Sequence, residues 1–206
     1  MKHLKLFFAL FAMLALGVGN AWAEEVIYTL DGTKTGGNNG YADASSITQN
    51  NVSWSVVGNT TVSPWRIGGK SLNNVDRTIV ATAASSSGVS KVVVAHGTAS
   101  SITVNSLKLI VASDQAFSTI VSTIDGTFTA NGNTTFTCPD DVNWTNMFYK
   151  IVYNVKISST SNKYLQFKSA SFYKAETTGT EETAVSVPTF SVPEGTFYSP
   201  INVELS

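Results

Sequence analysis

The residues that could do chemistry are few. Downstream of residue 23 the chain has one histidine, His96, and the whole sequence has one cysteine, Cys138. A nucleophilic triad would need His96 beside a serine and an acid in space. No Gly-x-Ser-x-Gly elbow is present, and without it His96 in Val94-Ala95-His96-Gly97-Thr98 reads as a strand-end residue with a satisfied hydrogen bond. One His and one Cys cannot build a zinc site alone. Asp140 and Asp141 are adjacent, so on a strand they would point to opposite sides instead of forming the facing carboxylates of a glycosidase. They read as a turn after Pro139. Cys138 has no partner for an internal disulfide and reads as a small buried hydrophobe. No enzymatic activity and no required cofactor are expected.

Aromatic residues in loop-like sequence point to binding instead. Sugars stack on flat aromatic faces, and neutral polar neighbours fix their hydroxyls. Trp65 and Arg66 lie between Pro64 and Gly68-Gly69. Trp144 lies in Asp140-Asp141-Val142-Asn143-Trp144-Thr145-Asn146. Tyr41 follows the Gly/Asn-rich stretch 36–40, and Asn73, Asn74, Asp76 and Arg77 add hydrogen-bonding groups. Core packing is the competing reading for each tryptophan. It prevails for Trp54, which sits in a clean alternation, and both readings stand for Trp65 and Trp144. Arg66 either meets a ligand or forms a buried pair that holds the Trp65 loop. The ligand-binding candidates are Trp65, Arg66, Trp144, Tyr41, Asn74 and Asp76.

Composition narrows the partner. Charged residues are only 13% of the 206, so Ser, Thr and Asn must supply the polar surface. The formal charge is −1, and removing a leader that contains Lys2 and Lys5 makes it −3. A phosphate backbone needs a basic face, so nucleic acid is not an expected partner. Met1 to Ala23 has the form of a signal peptide: Lys2 and Lys5, an apolar run from Leu6 to Val18, and Ala21-Trp22-Ala23 as a small-x-small cleavage site. The apolar run is short of the about 20 residues a membrane span needs. A secreted, cell-surface or periplasmic protein is expected, with no membrane span after cleavage and a monomeric state.

The elements that must position these residues are strands. Segments 25–30, 52–57, 77–83, 91–95, 134–137, 148–158 and 163–174 are β-prone, many with period-2 alternation. The stretch Ser63 to Gly69 reads as a turn, and Gly97 as a strand break. The alternation of Ile102 and Val104 changes phase at Leu107, Leu109 and Val111, which predicts a β-bulge near Asn105-Ser106. Asp125-Gly126 and Asn131-Gly132 read as turns, the first as a hairpin turn. Tyr149, Ile151, Tyr153, Val155 and Ile157 share one face of the longest strand, against Lys150, Asn154 and Lys156. The pattern predicts an all-β antiparallel sandwich over 24–174, then a polar linker over 175–186. The segment 187–206 is too short for a core of its own.

Two stretches resemble known families. Trp65-Arg66-Ile67-Gly68-Gly69-Lys70 with the strands from Lys91 to Tyr173 resembles jelly-roll modules, similar to the galactose-binding-like sandwich, in secreted proteins of Bacteroidetes-type bacteria. Pro188-x-Phe190-Ser191, Gly195-Thr196-Phe197-Tyr198-Ser199-Pro200 and Val203-x-Leu205-Ser206 resemble the start of chitobiase/β-hexosaminidase C-terminal-type, immunoglobulin-like domains. The resemblances imply a jelly-roll domain followed by an incomplete second sandwich, and neither supplies catalytic residues. Jelly rolls often carry a structural cation in a loop, and Asp31, Asp43, Asp76 and Asp140 are loop acids of the type that would hold calcium. The expectation is a non-catalytic accessory module that binds carbohydrate or a cell-surface glycan. The alternative is a structural or adhesive spacer acting through protein–protein or surface attachment.

Overall fold

The computed structural model describes residues 24–34, 40–41, 45–60, 63–140, 142 and 144–174. The expected leader, linker and second domain, and Asp43, lie outside the described residues. Contacts divide the chain into a unit ending at Ala175 and a second from Glu176 to Ser206. All described residues belong to the first.

That unit is all β, with twelve strands and no helix among the described residues. In chain order they are β1 (Val26–Asp31), β2 (Ser45–Gln49), β3 (Val52–Val57), β4 (Asn59–Thr60), β5 (Trp65–Gly69) and β6 (Leu72–Ala81). Then come β7 (Val89–Ser100), β8 (Thr103–Ala112), β9 (Ile120–Gly126), β10 (Asn133–Thr137), β11 (Phe148–Ile157) and β12 (Lys163–Lys174). They form two antiparallel sheets. The first runs β10-β7-β12-β5-β4, with β1 also paired to β12; the second runs β2-β3-β6-β11-β8-β9. β12 holds both β5 and β1 along one edge because it is long: its first half pairs with β5 and its second with β1.

Alternation explains the layering. On β11, Tyr149, Ile151, Tyr153, Val155 and Ile157 are all buried, and on β12 Leu165, Phe167, Ala170 and Phe172 are. These inner faces meet in one core with Leu30, Trp54, Trp65, Ile79, Val92, Leu109 and Phe136. Each large apolar side chain so buried contributes about 1.5–3 kcal/mol. Aromatics knit the centre: Phe172 lies 4.3 Å from Tyr28 and 5.1 Å from Tyr149, ring centre to ring centre.

Three expectations about elements need correction. Ser63 to Gly69 is not a turn throughout: Trp65 to Gly69 form β5, because Trp65 and Ile67 find Phe167 and Leu165 as cross-strand partners. Gly97 does not end its strand, and β7 runs on to Ser100. Asp125 and Gly126 are not a hairpin turn: they complete β9 opposite Lys108 and Leu107. β2 has little apolar pattern beyond Ile47 and is made by a tight hairpin with β3, where Asn50 and Asn51 take φ of 52° and 60°. Two left-handed residues give the twist that two-residue hairpins require. The bulge near Asn105 is present: Asn154 faces Ser106 and the next residue, Val155, faces Val104.

Candidate functional site

The six sequence-predicted residues do not meet at one place. Two are in the core. Trp65 is 0% and Trp144 1% exposed, so neither offers a face to a ligand, and the stacking expectation for both is corrected. Trp65 lies on the inner face of β5, stacked on Phe167 with ring centres 5.6 Å apart, and its Nε1 donates to the Lys34 carbonyl at 2.7 Å. Trp144 Nε1 donates to Ser122 Oγ at 3.2 Å, and the Trp144 carbonyl accepts from the Tyr149 hydroxyl at 2.9 Å. Indole is large and apolar with one donor, so it is buried wherever that donor can be satisfied.

Asn74 and Asp76 stand on the outer face of the second sheet, at a defect shared by two strands. Both neighbours of β11 bulge at the same level. Asn105 is the extra residue on β8, while on β6 the pairing jumps from Val75 to Leu72, with Asn74 at φ 55°. The displaced side chains meet over Asn154. Asn105 Nδ2 donates to Asn74 Oδ1 and to Asn154 Oδ1, each at 2.9 Å, and Asn154 Nδ2 donates to Asp76 Oδ1 at 2.6 Å. Asp76 is thus a strand residue and not a loop acid. The group satisfies itself, which is the signature of a stitched bulge.

Arg66 and Tyr41 come together on the outer face of the first sheet. Arg66 lies between inward Trp65 and Ile67, so it points outward. Its guanidinium carbon sits 4.5 Å from the centre of the Tyr164 ring, one diagonal step away on β12. Burial raises the Tyr41 phenol above its ordinary pKa, with the Arg66 charge acting to lower it and Tyr164 to raise it. All three residues are half-buried. Arg66 does not form the buried ion pair considered from sequence: no carboxylate lies within 4.0 Å among the described residues, and its buried Nε has no hydrogen-bond acceptor.

A bulge extends this face along β12. Leu165 pairs with Ala99 and Phe167 with His96, so Gly97 and Thr98 together oppose Gln166. Gly97 is needed there, since a Cβ would meet Gln166 Oε1 at 2.5 Å and Gln166 Cβ at 2.9 Å. Gln166 Oε1 accepts from the Thr98 amide at 3.1 Å and the Thr98 hydroxyl at 3.0 Å. Its Nε2 has no acceptor among the described residues. Lys168, exposed, follows on the same side. Tyr164, Gln166 and Thr98 were not singled out from sequence. The available signal was the parity of β12, which sets a tyrosine on the wet face with Gln166 and Lys168.

Most other polar groups are held within the fold, the buried Ser45 Oγ and His96 Nδ1 being without a hydrogen-bond partner. A recess of about 440 Å³ is lined by Thr29, Asp31, Lys34, Gln49 and Asn50. Gln49 accepts from the Asp31 amide at 2.8 Å and donates to its carbonyl at 3.0 Å, Asn50 Nδ2 donates to the Thr29 carbonyl at 2.9 Å, and Asp31 Oδ1 accepts from Thr33. It is a seam tying the β2–β3 hairpin to β1. No three His, Cys, Asp or Glu side chains gather among the described residues; Asp31 and Asp76 are held by Thr33 and Asn154, and Asp140 is exposed. His96 is 1% exposed. Its Nε2 is 3.0 Å from the Tyr153 hydroxyl, its ring packs on Phe128, and burial pushes its pKa down to about 4. The Ser-His-acid arrangement is therefore not formed at His96. Cys138 is half-buried against the core, and its Sγ donates to the Val142 carbonyl at 3.2 Å.

No protein-family model matches the chain, and no curated protein matches it.

Proposed function

We propose that this chain is a secreted or cell-surface, non-catalytic module that binds carbohydrate. In this reading its sandwich is a jelly roll and residues 1–23 are a cleaved signal peptide. The observation that carries it is the Tyr41–Arg66–Tyr164 group on the outer face of the first sheet. The Arg66 guanidinium lies over the Tyr164 ring, Tyr41 feels the Arg66 charge, Gln166 comes next along β12, and Thr98 opposes it on β7. Rings give a sugar its stacking surface, and amide, hydroxyl and guanidinium groups hold its hydroxyls. The low-charge, Ser/Thr/Asn-rich surface leaves neutral hydrogen bonding as the main polar currency around the group. An exposed strand face suits a polymer, which can lie along it.

The test is a glycan array on residues 24–206, repeated with Tyr164→Ala. The reading expects saturable, glycan-specific binding that falls at least about tenfold in the variant, a loss of about 1.4 kcal/mol. Tyr164 is half-buried and not in the core, so the fold should survive. A folded sample that binds no glycan would favour the spacer reading, in which the sandwich joins or displays other domains.

A further inference from the structure

The electrostatics of the same face go further, and the inference rests on the carbohydrate reading. Three lysines have acidic partners: Lys91 pairs with Glu24, Lys174 with Glu25 at 2.9 Å, and Lys108 with Asp125 at 3.2 Å. Lys150 lies over the Phe117 ring at 4.1 Å. Arg66 differs. It is half-buried, it has only the Tyr164 ring beneath it, and its Nε–H is shut away from water with no acceptor. A buried donor left unsatisfied costs about 1–3 kcal/mol. Closed to water, Nε is equally closed to a ligand, which would meet the terminal N–H groups of the guanidinium instead, most strongly where its acceptor is charged. A guanidinium is a planar fork whose two parallel N–H bonds match a carboxylate or sulfate, and stacking on an aromatic face orients it without consuming those donors. Lys168 adds a second cation on this side of β12, and Gln166 Nε2 is a further donor between them. Gln166 Oε1 is already taken by Thr98, so the charged groups left along this line are cations.

We infer that the glycan recognised by this face is acidic: a carboxylate or sulfate ester accepts from Arg66, while the sugar ring lies against Tyr41 and Tyr164. A uronic acid carboxylate is planar and a sulfate ester tetrahedral, and each presents a pair of anionic oxygens to the fork.

The experiment measures affinity of residues 24–206 for polygalacturonate and for dextran sulfate, each beside its neutral counterpart, carboxyl-reduced polymer and plain dextran. The variants are Arg66→Gln and, on the same sheet but away from the group, Lys91→Gln. The expected result is binding to one or both acidic polymers, at least about tenfold weaker for the matching neutral polymer and for R66Q, with K91Q within about twofold. Which acidic polymer binds tells carboxylate from sulfate. If R66Q does not fold, Arg66→Lys, which keeps charge and stem but loses the fork, takes its place, and the polymer comparison stands without any variant. Equal binding of acidic and neutral polymers would overturn the inference and leave the carbohydrate reading intact. Equal losses in R66Q and K91Q would overturn it in favour of diffuse attraction. Binding of no polymer, together with a blank glycan array, would overturn both.

Discussion

The two outer faces of the sandwich solve the same problem in different ways. Each carries a β-bulge, and a bulge displaces side chains from the ladder and leaves backbone groups to be satisfied. On the second sheet the displaced residues are Asn74 and Asn105, and they bond to each other and to Asn154, which in turn holds Asp76. Every member serves another member. On the first sheet Gly97 and Thr98 bulge against Gln166, and only one end of Gln166 is used. One step along, Arg66 rests on Tyr164 with its Nε unmatched. A closed network stabilises a fold and has little to offer a partner. An open one costs stability, and persists where the groups it leaves unpaired have another use. That difference is why the proposed binding site is placed on the first sheet.

The largest expected effect sharpens the line between support and surface. Trp65 lies directly beneath the face but inside the core, so Trp65→Ala should cost about 3–5 kcal/mol in denaturant unfolding. Tyr164→Ala should cost under about 1 kcal/mol, as expected of a side chain outside the core. Comparable losses from both would break the distinction between the two aromatics.

Acid tests whether the faces share one scaffold. His96 of the first sheet and Tyr153 of the second meet across the interior at 3.0 Å. Burial lowers the folded-state pKa of His96 to about 4, below the about 6.5 of an unfolded histidine. The unfolded chain therefore takes up the proton first as pH falls. Stability should be full above about 6.5, decline between about 6.5 and 4, and lose about 3 kcal/mol over that window. His96→Gln should flatten this part of the profile. A wild-type profile level from pH 7 to 4 would show that His96 is protonated within the fold at little cost.

A smaller effect separates the closed network from the open one. Asn154→Ala removes the centre of the Asn/Asp group and should cost about 1–2 kcal/mol, from lost hydrogen bonds and stranded partners. It should leave glycan affinity unchanged. A fall in affinity would move the site to the second sheet.

Much of the fold could be read from the sequence because alternation reports burial directly. β3 and β12 lie where the pattern placed them, the inward row of β11 is as expected, and the phase change around Asn105 marked a real bulge. Where alternation was interrupted, tertiary pairing decided. Gly97 looked like a break because glycine is weak in strands, yet the gap it leaves is filled by Gln166. The Trp65 segment looked like a turn because Pro64 and two glycines surround it, yet two inward apolar residues sufficed for a strand. The site was legible only in part. Arg66 and Tyr41 were chosen for residue type, which does not depend on the fold. Tyr164 was hidden among strand residues, since its value arises from lying diagonally opposite Arg66 on a separate strand. Trp65 and Trp144 misled for a physical reason: the size that suits a tryptophan to sugar stacking also makes it the most rewarding residue to bury.

The most direct test of the central claim is to locate the ligand on the molecule. Amide resonances of isotopically labelled protein would be followed during titration with the best acidic oligosaccharide. The account predicts shifts concentrated at Arg66, Thr98, Tyr164, Gln166 and their neighbours, with Asn74, Asn105 and Asn154 unmoved. Shifts centred on the Asn/Asp group instead, or none at saturating oligosaccharide, would contradict it.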